Sequence, residues 1–148
     1  MNVLLITKPG ILLYNILRES KTGWYAIRFY EPIEESYGVF IRIPSLGNAI
    51  SLTFDLKYYI KRYVSEVLYQ IKCNIFCTSS LARMRYHDRT LIFSSPWTYR
   101  IKYTIYKNGT IKKELLISSD SGVAKNSFLT GDRQIEVWCS KYEWEILQ

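Results

Sequence analysis

The most constraining feature of the chain is a pair of alternating apolar and polar runs, at residues 99–117, that flank Lys107-Asn108-Gly109. Asn-Gly pairs are favoured in tight turns between antiparallel strands, because both residues tolerate left-handed backbone. A three-residue turn with Gly109 left-handed puts the apolar residues on one face, whereas a two-residue turn mixes apolar and charged residues on both faces. We therefore predict a β-hairpin in which Lys102 faces Glu114. Its apolar face comprises Ile101, Tyr103, Ile105, Ile111, Leu115 and Ile117, with Lys113 as a misfit.

Shorter apolar or alternating runs predict further strands. Proline ends two of them, since it lacks the donor that a strand ladder needs. Residues 11–18 follow a Pro-Gly turn signal and fit a helix or a strand equally well. The predicted strands are Trp24–Tyr30 and Tyr37–Ile43, joined by an acidic turn, the buried Cys73–Cys77 and Leu91–Phe93, and the C-terminal pair Gln134–Cys139 and Tyr142–Ile146.

The apolar residues of the segment 55–71 recur at spacings of three and one, which is the pattern of one face of an α-helix. Asp55, or Thr53 if the helix starts earlier, is placed to cap it. This helix either packs on a sheet, the more common arrangement, or binds a membrane or a partner. The chain has no repeat, low-complexity run or long linker, so we predict one domain over residues 1–148. The expected fold class is α+β: a mainly antiparallel β-sheet with one long amphipathic helix, at about residues 55–71, packed on it.

Positive charge is concentrated in the middle of the chain. The net charge is +7, and residues 54–113 alone contribute 12 Lys and Arg against 3 Asp and Glu. Such a segment suits a polyanion, whether nucleic-acid phosphates, anionic lipid head groups or an acidic protein surface. Basic residues that only keep a small protein soluble are equally common.

Aromatic residues alternate with the basic ones in this central segment. Tyrosine rings stack on bases or lie at membrane interfaces. We interpret the stretch 81–89, which carries several of these residues, as a basic loop. No recognised RNA-binding signature is present, so sequence-specific recognition is not predicted. The predicted polyanion-binding residues are Lys57, Lys61, Arg62, Arg83, Arg85, Arg89, Arg100 and Lys102, and the predicted aromatic contacts are Tyr58, Tyr86, Trp97 and Tyr99.

The chain is poor in groups for catalysis. His87 is the only histidine, and neither a nucleophile motif nor a glycine-rich phosphate loop accompanies it. Cys73, Cys77 and Cys139 lack the paired spacing of a zinc site, and their role stays open. We therefore expect a protein that is not an enzyme and that uses no metal, cofactor or small-molecule substrate.

We find neither a membrane-spanning segment nor a secretory signal in the sequence. No apolar run approaches the roughly 18 to 20 residues of a membrane-spanning helix. The residues after Met1 lack the basic and cleavable parts of a secretory signal, and an odd number of cysteines fits a reducing compartment. These observations predict a cytosolic protein without a signal peptide or transmembrane segment.

The order of elements over residues 37–146 resembles the globular core of rhabdovirus matrix proteins. The resemblance is carried by two strands ending at Ile43, a long capped helix, the segments Arg89-Thr90-Leu91-Ile92-Phe93 and Ile135-Glu136-Val137-Trp138-Cys139, and a charged hairpin. The chain departs from that family because it lacks a Lys-rich N-terminal tail and a Pro-Pro-x-Tyr motif, which leaves a direct budding role unsupported.

The resemblance implies a non-enzymatic, basic viral structural protein that self-associates and binds a nucleocapsid or an anionic membrane surface. Its location would be the host cytoplasm or the virion, against the inner face of the envelope. The alternative is a small nucleic-acid-binding accessory protein, such as a viral suppressor of host defence, that uses Lys and Arg with stacked tyrosines.

Overall fold

The computed structural model describes residues 1–93, 97–117 and 132–148. Within these ranges the strands are β1 (Val3–Thr7), β2 (Ile33–Glu35), β3 (Gly38–Ile41), β4 (Val64–Lys72), β5 (Ile75–Thr78), β6 (Arg100–Ile105), β7 (Ile111–Leu116) and β8 (Arg133–Trp138). The helices are α1 (Leu13–Glu19), α2 (Lys21–Ile27), α3 (Leu46–Asp55), α4 (Lys57–Tyr63), α5 (Ser79–His87) and α6 (Lys141–Ile146), and a 3₁₀ turn, Arg28–Tyr30, follows α2.

The described strands form one sheet in the order β2-β3-β1-β4-β5-β8-β6-β7. Neighbouring strands are antiparallel except β5 and β8, which run parallel with Phe76 opposite Val137. The predicted fold class is therefore wrong in two respects. The sheet is mixed, and the longest helix in the described part of the chain, α3, has only 10 residues.

The predicted long helix over 55–71 is replaced by the end of α3, the whole of α4 and most of β4. Asp55 is the last residue of α3, and the backbone becomes extended at Val64, with φ −108° and ψ 131°. From there β4 runs between β1 and β5. A strand inside a sheet has apolar residues on both faces and does not alternate, so the apolar run at 67–69 imitates the spacing of a helix.

Three predicted strands are also wrong. Trp24–Tyr30 lies in α2 and the 3₁₀ turn, and the side chain of Ser20 caps α2. Leu91–Phe93 has no strand assignment, and Tyr142–Ile146 lies in α6, which begins with a capping box at Ser140. Both helices start at a serine whose hydroxyl satisfies a free backbone amide, and this local signal outweighs the alternation that follows it.

The predicted hairpin is confirmed in its register. Lys102 pairs with Glu114, and their side chains form an ion pair of 3.3 Å. Gly109 has a φ of +92°, and its amide donates a hydrogen bond of 2.9 Å to the Tyr106 carbonyl. Ile117 lies beyond β7 and is exposed. Strands were also predicted correctly where β3, β5 and β8 occur, and α1 shows that the segment after the Pro-Gly turn is helical.

The sheet curls until β7 reaches β4, although three strands lie between them. Lys113 on β7 forms a 2.6 Å ion pair with Glu66 on β4. The hairpin turn packs on the end of β1, where a Cβ atom on Gly109 would lie 2.4 Å from the Thr7 carbonyl oxygen. The concave face of the curl encloses an apolar core that includes Leu4, Ile6, Leu68, Phe76, Ile101, Tyr103, Ile105, Ile135 and Val137.

The opposite face of the sheet is covered by α1–α5 and the 3₁₀ turn, which we call the helical layer. A second core lies between this layer and the sheet. Its sheet residues include Val3, Leu5, Val39, Ile41, Tyr69 and Cys77. From the helical layer it includes Leu13, Leu17, Ile27, Ala49, Leu52, Leu81 and Ala82, together with Leu56 between α3 and α4. The outer surface of the helical layer carries the predicted basic residues of α4 and α5.

Candidate polyanion-binding site

The helical layer has a large excess of positive over negative side chains. Its elements contain eight Lys and Arg residues against two carboxylates, Glu19 and Asp55, while the whole chain has a net charge of +7. Charge of one sign on one face produces a field that attracts anions from a distance. The basic residues are Arg18, Lys21, Arg28, Lys57, Lys61, Arg62, Arg83 and Arg85.

A cleft of about 200 Å³ lies in this layer, between α3 and α4 on one side and α5 on the other. The bottom of the cleft is β4. Three predicted polyanion-binding residues line it, although they come from two helices that are separated by a β-hairpin in the sequence. The lining residues are Thr53, Phe54, Lys57, Ile60, Lys61, Val67, Tyr69, Ser79 and Arg83.

Local structure explains why the three cations meet. Lys57 and Lys61 are four residues apart on α4, so they lie on the same side of the helix. The stretch interpreted as a loop is mostly helical: α5 begins at the cap residue Thr78, whose hydroxyl accepts a 3.2 Å hydrogen bond from the Leu81 amide. Leu81 and Ala82 are buried against the sheet, which leaves the next residue, Arg83, exposed at the edge of the cleft.

The floor of the cleft is a set of hydroxyl groups that bind one another. The Thr53 hydroxyl donates to the Ile50 carbonyl at 2.9 Å and therefore accepts, also at 2.9 Å, from Tyr69. Burial raises the pKa of Tyr69, while hydrogen bonds with Thr53 and Ser79 and the charge of Arg83 oppose that shift. The floor is thus neutral, and the positive charge of Arg83 acts on its buried tyrosine.

The cations of the cleft are not neutralised by acidic side chains. Within the ranges that the structure describes, Lys57, Lys61 and Arg83 form no ion pair. The Lys57 ammonium lies 4.4 Å from the centre of the Phe54 ring, a cation–π distance that supports its side chain without removing its charge. The cleft therefore offers three positive charges to an external anion.

The remaining basic residue of α4, Arg62, contacts an aromatic side chain. Arg62 donates a 2.8 Å hydrogen bond to the hydroxyl of Tyr58 and lies 5.3 Å from the centre of its ring. The Tyr58 side chain is 56% exposed. Tyr59 beside it is used internally, because its hydroxyl bonds to Ser20 and Thr22.

Arg85 on α5 and Arg89, two residues beyond the end of α5, lie away from the cleft. Together with Met1, Leu46, Ile92 and Phe93 they line a separate depression of about 290 Å³. Arg89 donates to the Tyr86 carbonyl at 3.0 Å and lies 5.1 Å from the Tyr86 ring, so it partly serves to end the helix. The structure thus divides the predicted basic stretch between two sites.

Arg100 and Lys102 lie outside the helical layer. Arg100 is 5% exposed and pairs with Glu136 at 3.1 Å inside the protein, and Lys102 pairs with Glu114 on the hairpin. Arg100 therefore has a structural role. We leave both residues out of the candidate site.

Trp97 and Tyr99 also have internal partners. Trp97 stacks on Trp138 with ring centres 5.7 Å apart, and its ring nitrogen donates to the Cys139 carbonyl at 3.0 Å. The Tyr99 ring lies 5.9 Å from Trp144, and its carbonyl accepts from the Cys139 amide. Neither ring is placed like an open stacking platform.

Sequence reasoning missed two groups of residues in this region. Nothing in the sequence marks Thr53, Tyr69 and Ser79 as the floor of a cleft. Arg28 was missed because its segment was taken for a strand: it lies 4.6 Å from the ring centres of both Tyr25 and Phe29, which are 68% and 80% exposed. A correct prediction of α2 and the 3₁₀ turn would have placed Arg28 beside two exposed rings, which is a pattern typical of a binding surface.

The remaining candidate groups are dispersed. His87 is exposed near the end of α5, in a depression of about 580 Å³ with Ser80, Arg83, Met84 and Asp88. Burial raises the pKa of Cys77 and of Cys139 to about 12, while Cys73 is exposed. No group of three or more His, Cys, Asp or Glu residues close enough for a metal ion occurs in the described part of the chain.

None of the helices in the described ranges combines the length and apolar character needed to cross a membrane. Comparison of the chain with protein-family models, curated proteins and solved structures finds no significant match. The function proposed below therefore rests on the geometry and charge of the chain itself.

Proposed function

We propose that the protein is a non-enzymatic, nucleic-acid-binding accessory protein whose helical layer holds the phosphate backbone. The observation that carries this proposal is the cleft in which Lys57, Lys61 and Arg83 meet without acidic partners among the described residues. The other cations of the helical layer add to the positive field. Such an arrangement favours phosphate contacts that do not depend on base sequence.

Single strands are the favoured form of nucleic acid. Tyr58 extends from the same helix as Lys57 and Lys61, and its ring is more than half exposed. A ring next to a basic groove stacks on unpaired bases, which a duplex keeps covered. The absence of a recognised RNA-binding signature fits binding without sequence preference.

The test is to change Lys57, Lys61 and Arg83 to Ala together and to measure binding of single-stranded RNA over a salt series. Loss of three phosphate contacts should lower the affinity about a hundredfold at about 0.1 M salt and should reduce the slope of log Kd against log salt by about two. All three side chains are exposed or lie at the edge of the cleft, so the circular dichroism spectrum should not change.

The matched control changes Lys72, Lys107 and Lys112 to Ala. These three exposed lysines lie on strands and turns outside the helical layer, and their removal lowers the net charge by the same amount. We expect a much smaller loss of affinity in this control. Equal losses in the two triple variants would show that only total charge matters and would contradict a role for the cleft.

A second candidate function is the matrix-like one: a self-associating viral structural protein, in the host cytoplasm or virion, that contacts an anionic membrane. The exposed Tyr25 and Phe29 rings with Arg28 between them favour it, because aromatic rings next to cations suit a membrane interface. Arg18, Lys21 and Trp24 line the adjoining depression of about 340 Å³.

Vesicles that contain phosphatidylserine test this candidate, with light scattering to record self-association. Changing Tyr25 and Phe29 to Ser should abolish vesicle binding while RNA binding is retained. Changing Tyr142 and Ile146 to Ser removes similarly exposed apolar groups from α6 and should have no effect. Failure of the unmodified protein to bind vesicles or to self-associate would exclude the matrix-like function.

A further inference from the structure

We propose that the cleft lined by Lys57, Lys61 and Arg83 binds a phosphate monoester, so that the protein recognises the phosphorylated end of a nucleic-acid strand. This inference rests on the proposed function and deepens it. It concerns which phosphate enters the cleft, whereas the proposed function concerns only whether the helical layer holds a strand.

The shape of the cleft favours an end over a continuous strand. It is closed by α3 and α4 on one side, by α5 on the other and by β4 below. Its volume of about 200 Å³ is smaller than the roughly 300 to 1,000 Å³ of sites that enclose a whole small molecule. A cleft of this size accepts one charged group and part of a sugar, with the rest of the strand outside.

The charge of the cleft favours a monoester over a diester. A monoester carries a charge of about −1.5 to −2 near neutral pH and has three acceptor oxygens, whereas an internal phosphodiester carries one negative charge. Lys57, Lys61 and Arg83 match the higher charge and the larger number of acceptors. Arg83 can donate two parallel hydrogen bonds to phosphate oxygens, which a lysine cannot.

The hydroxyl groups at the floor of the cleft are already used in hydrogen bonds within the protein. Thr53 and Tyr69 bind each other and the Ile50 carbonyl, so they present no free donor that would select a different ligand. The apolar side chains of Phe54, Ile60 and Val67 form part of the lining and offer water no hydrogen bond there. Ion pairing is stronger where water is excluded, so a phosphate seated between the cations gains more there than on the open helical layer.

The experiment compares one single-stranded RNA sequence in three forms, with a 5′-phosphate, with a 3′-phosphate and with hydroxyl groups at both ends. Labels are attached away from the end that is tested. We expect at least one phosphorylated form to bind about tenfold more tightly than the hydroxyl form at about 0.15 M salt. Inorganic phosphate should compete with that form more effectively than with the hydroxyl form.

The two arginines of α5, the exposed Arg83 and the half-buried Arg85, provide a pair of variants. Arg83→Ala should abolish the difference between phosphate and hydroxyl ends, and Arg83→Lys should restore it only in part. Arg85→Ala removes the same charge from outside the cleft and should lower the affinity for all three RNAs alike. Retention of the end preference in Arg83→Ala would overturn the assignment to this cleft.

The possible failures are distinguishable. Equal and tight binding of all three RNAs by the unmodified protein would overturn recognition of the end and would leave the proposed function intact. No binding of any RNA, even at about 0.05 M salt, would overturn both.

Discussion

The Lys113 ammonium lies 2.6 Å from the Glu66 carboxylate, and this pair joins two strands that are four positions apart in the sheet. The same ammonium lies 5.1 Å from the centre of the Tyr103 ring. Lys113 is the single charged residue on the otherwise apolar face of its hairpin, and the curl of the sheet supplies its partner. The ion pair therefore closes the open side of the concave core.

We expect Lys113→Ala to lower the free energy of unfolding by about 1 kcal/mol, since the pair is partly buried and a cation–π contact adds to it. Urea denaturation measures the change. Lys112→Ala is the control, because Lys112 is exposed and its ion pair with Glu114 lies at the surface of the hairpin, so its loss should cost much less. Equal effects of the two substitutions would show that the Glu66 contact does not hold the curl.

The hairpin could be predicted because several independent features of its sequence agree. Turn chemistry at Gly109, alternation in both strands and the opposition of Lys102 to Glu114 all specify one register. The helix over 55–71 failed for the opposite reason. Its second half is an interior strand that pairs with the adjacent β5 and also with β1 from the start of the chain, and a local pattern of apolar residues does not reveal the pairing with β1.

The candidate site shows the same division. Lys57, Lys61 and Arg83 could each be predicted to bind a polyanion from their charge and their aromatic neighbours in the sequence. Their meeting in one cleft depends on the β4–β5 hairpin returning the chain to the helical layer, which no local pattern reveals. Arg100 has the same basic and aromatic sequence context but lies inside the protein. The local sequence does not reveal this, because its partner Glu136 is 36 residues away.

Arg100 and Glu136 form a buried ion pair whose disruption should be costly. Glu136 also accepts a 2.7 Å hydrogen bond from the Trp138 ring nitrogen, so both its oxygens have donors. Removal of Arg100 leaves a buried carboxylate without its counter-charge, and we expect Arg100→Ala to lower the free energy of unfolding by about 3 to 5 kcal/mol.

Thermal or urea unfolding measures this loss. Lys102→Ala on the same strand should cost much less, because its ion pair with Glu114 lies at the partly exposed surface of the hairpin. If Arg100→Ala instead kept its stability and lost RNA affinity, Arg100 would belong to the binding surface and its structural role would be refuted.

Gly109 is required both for its backbone conformation and for its close contact with β1. We expect Gly109→Ala to destabilise the protein by at least about 2 kcal/mol, since a positive φ is strained for alanine and the added Cβ would meet the Thr7 carbonyl. Gly10→Ala is a matched control with a φ of +81° and no atom within 4 Å of the added carbon. Its cost of about 1 kcal/mol measures the backbone strain alone. A difference close to zero between the two variants would mean that the turn does not pack on β1.

The three cysteines should differ in reactivity. Thiolates are the reactive form, and burial raises the pKa of Cys77 and Cys139 to about 12, so both remain protonated and covered at about pH 8. Cys73 is exposed at the turn between β4 and β5. We expect a disulfide reagent to modify one thiol per folded chain and three after denaturation, with Cys73→Ser removing the fast reaction. Rapid modification of a second thiol would show that one of the two buried cysteines is accessible.

Tyr58 should contribute to binding of single strands through its ring. Its side chain is 56% exposed next to the cleft helix, whereas the neighbouring Tyr59 is held by Ser20 and Thr22. Stacking is worth about 1 to 3 kcal/mol per base, so Tyr58→Ala should weaken single-stranded RNA binding about tenfold or more and leave duplex binding nearly unchanged. Tyr58→Phe keeps the ring and should retain the affinity. Tyr142→Ala removes a still more exposed ring, at 74%, from α6 and serves as the control. If Tyr58→Ala and Tyr142→Ala bind single strands equally well, the strand is held by phosphate contacts alone, since stacking is the one contribution that distinguishes the two rings.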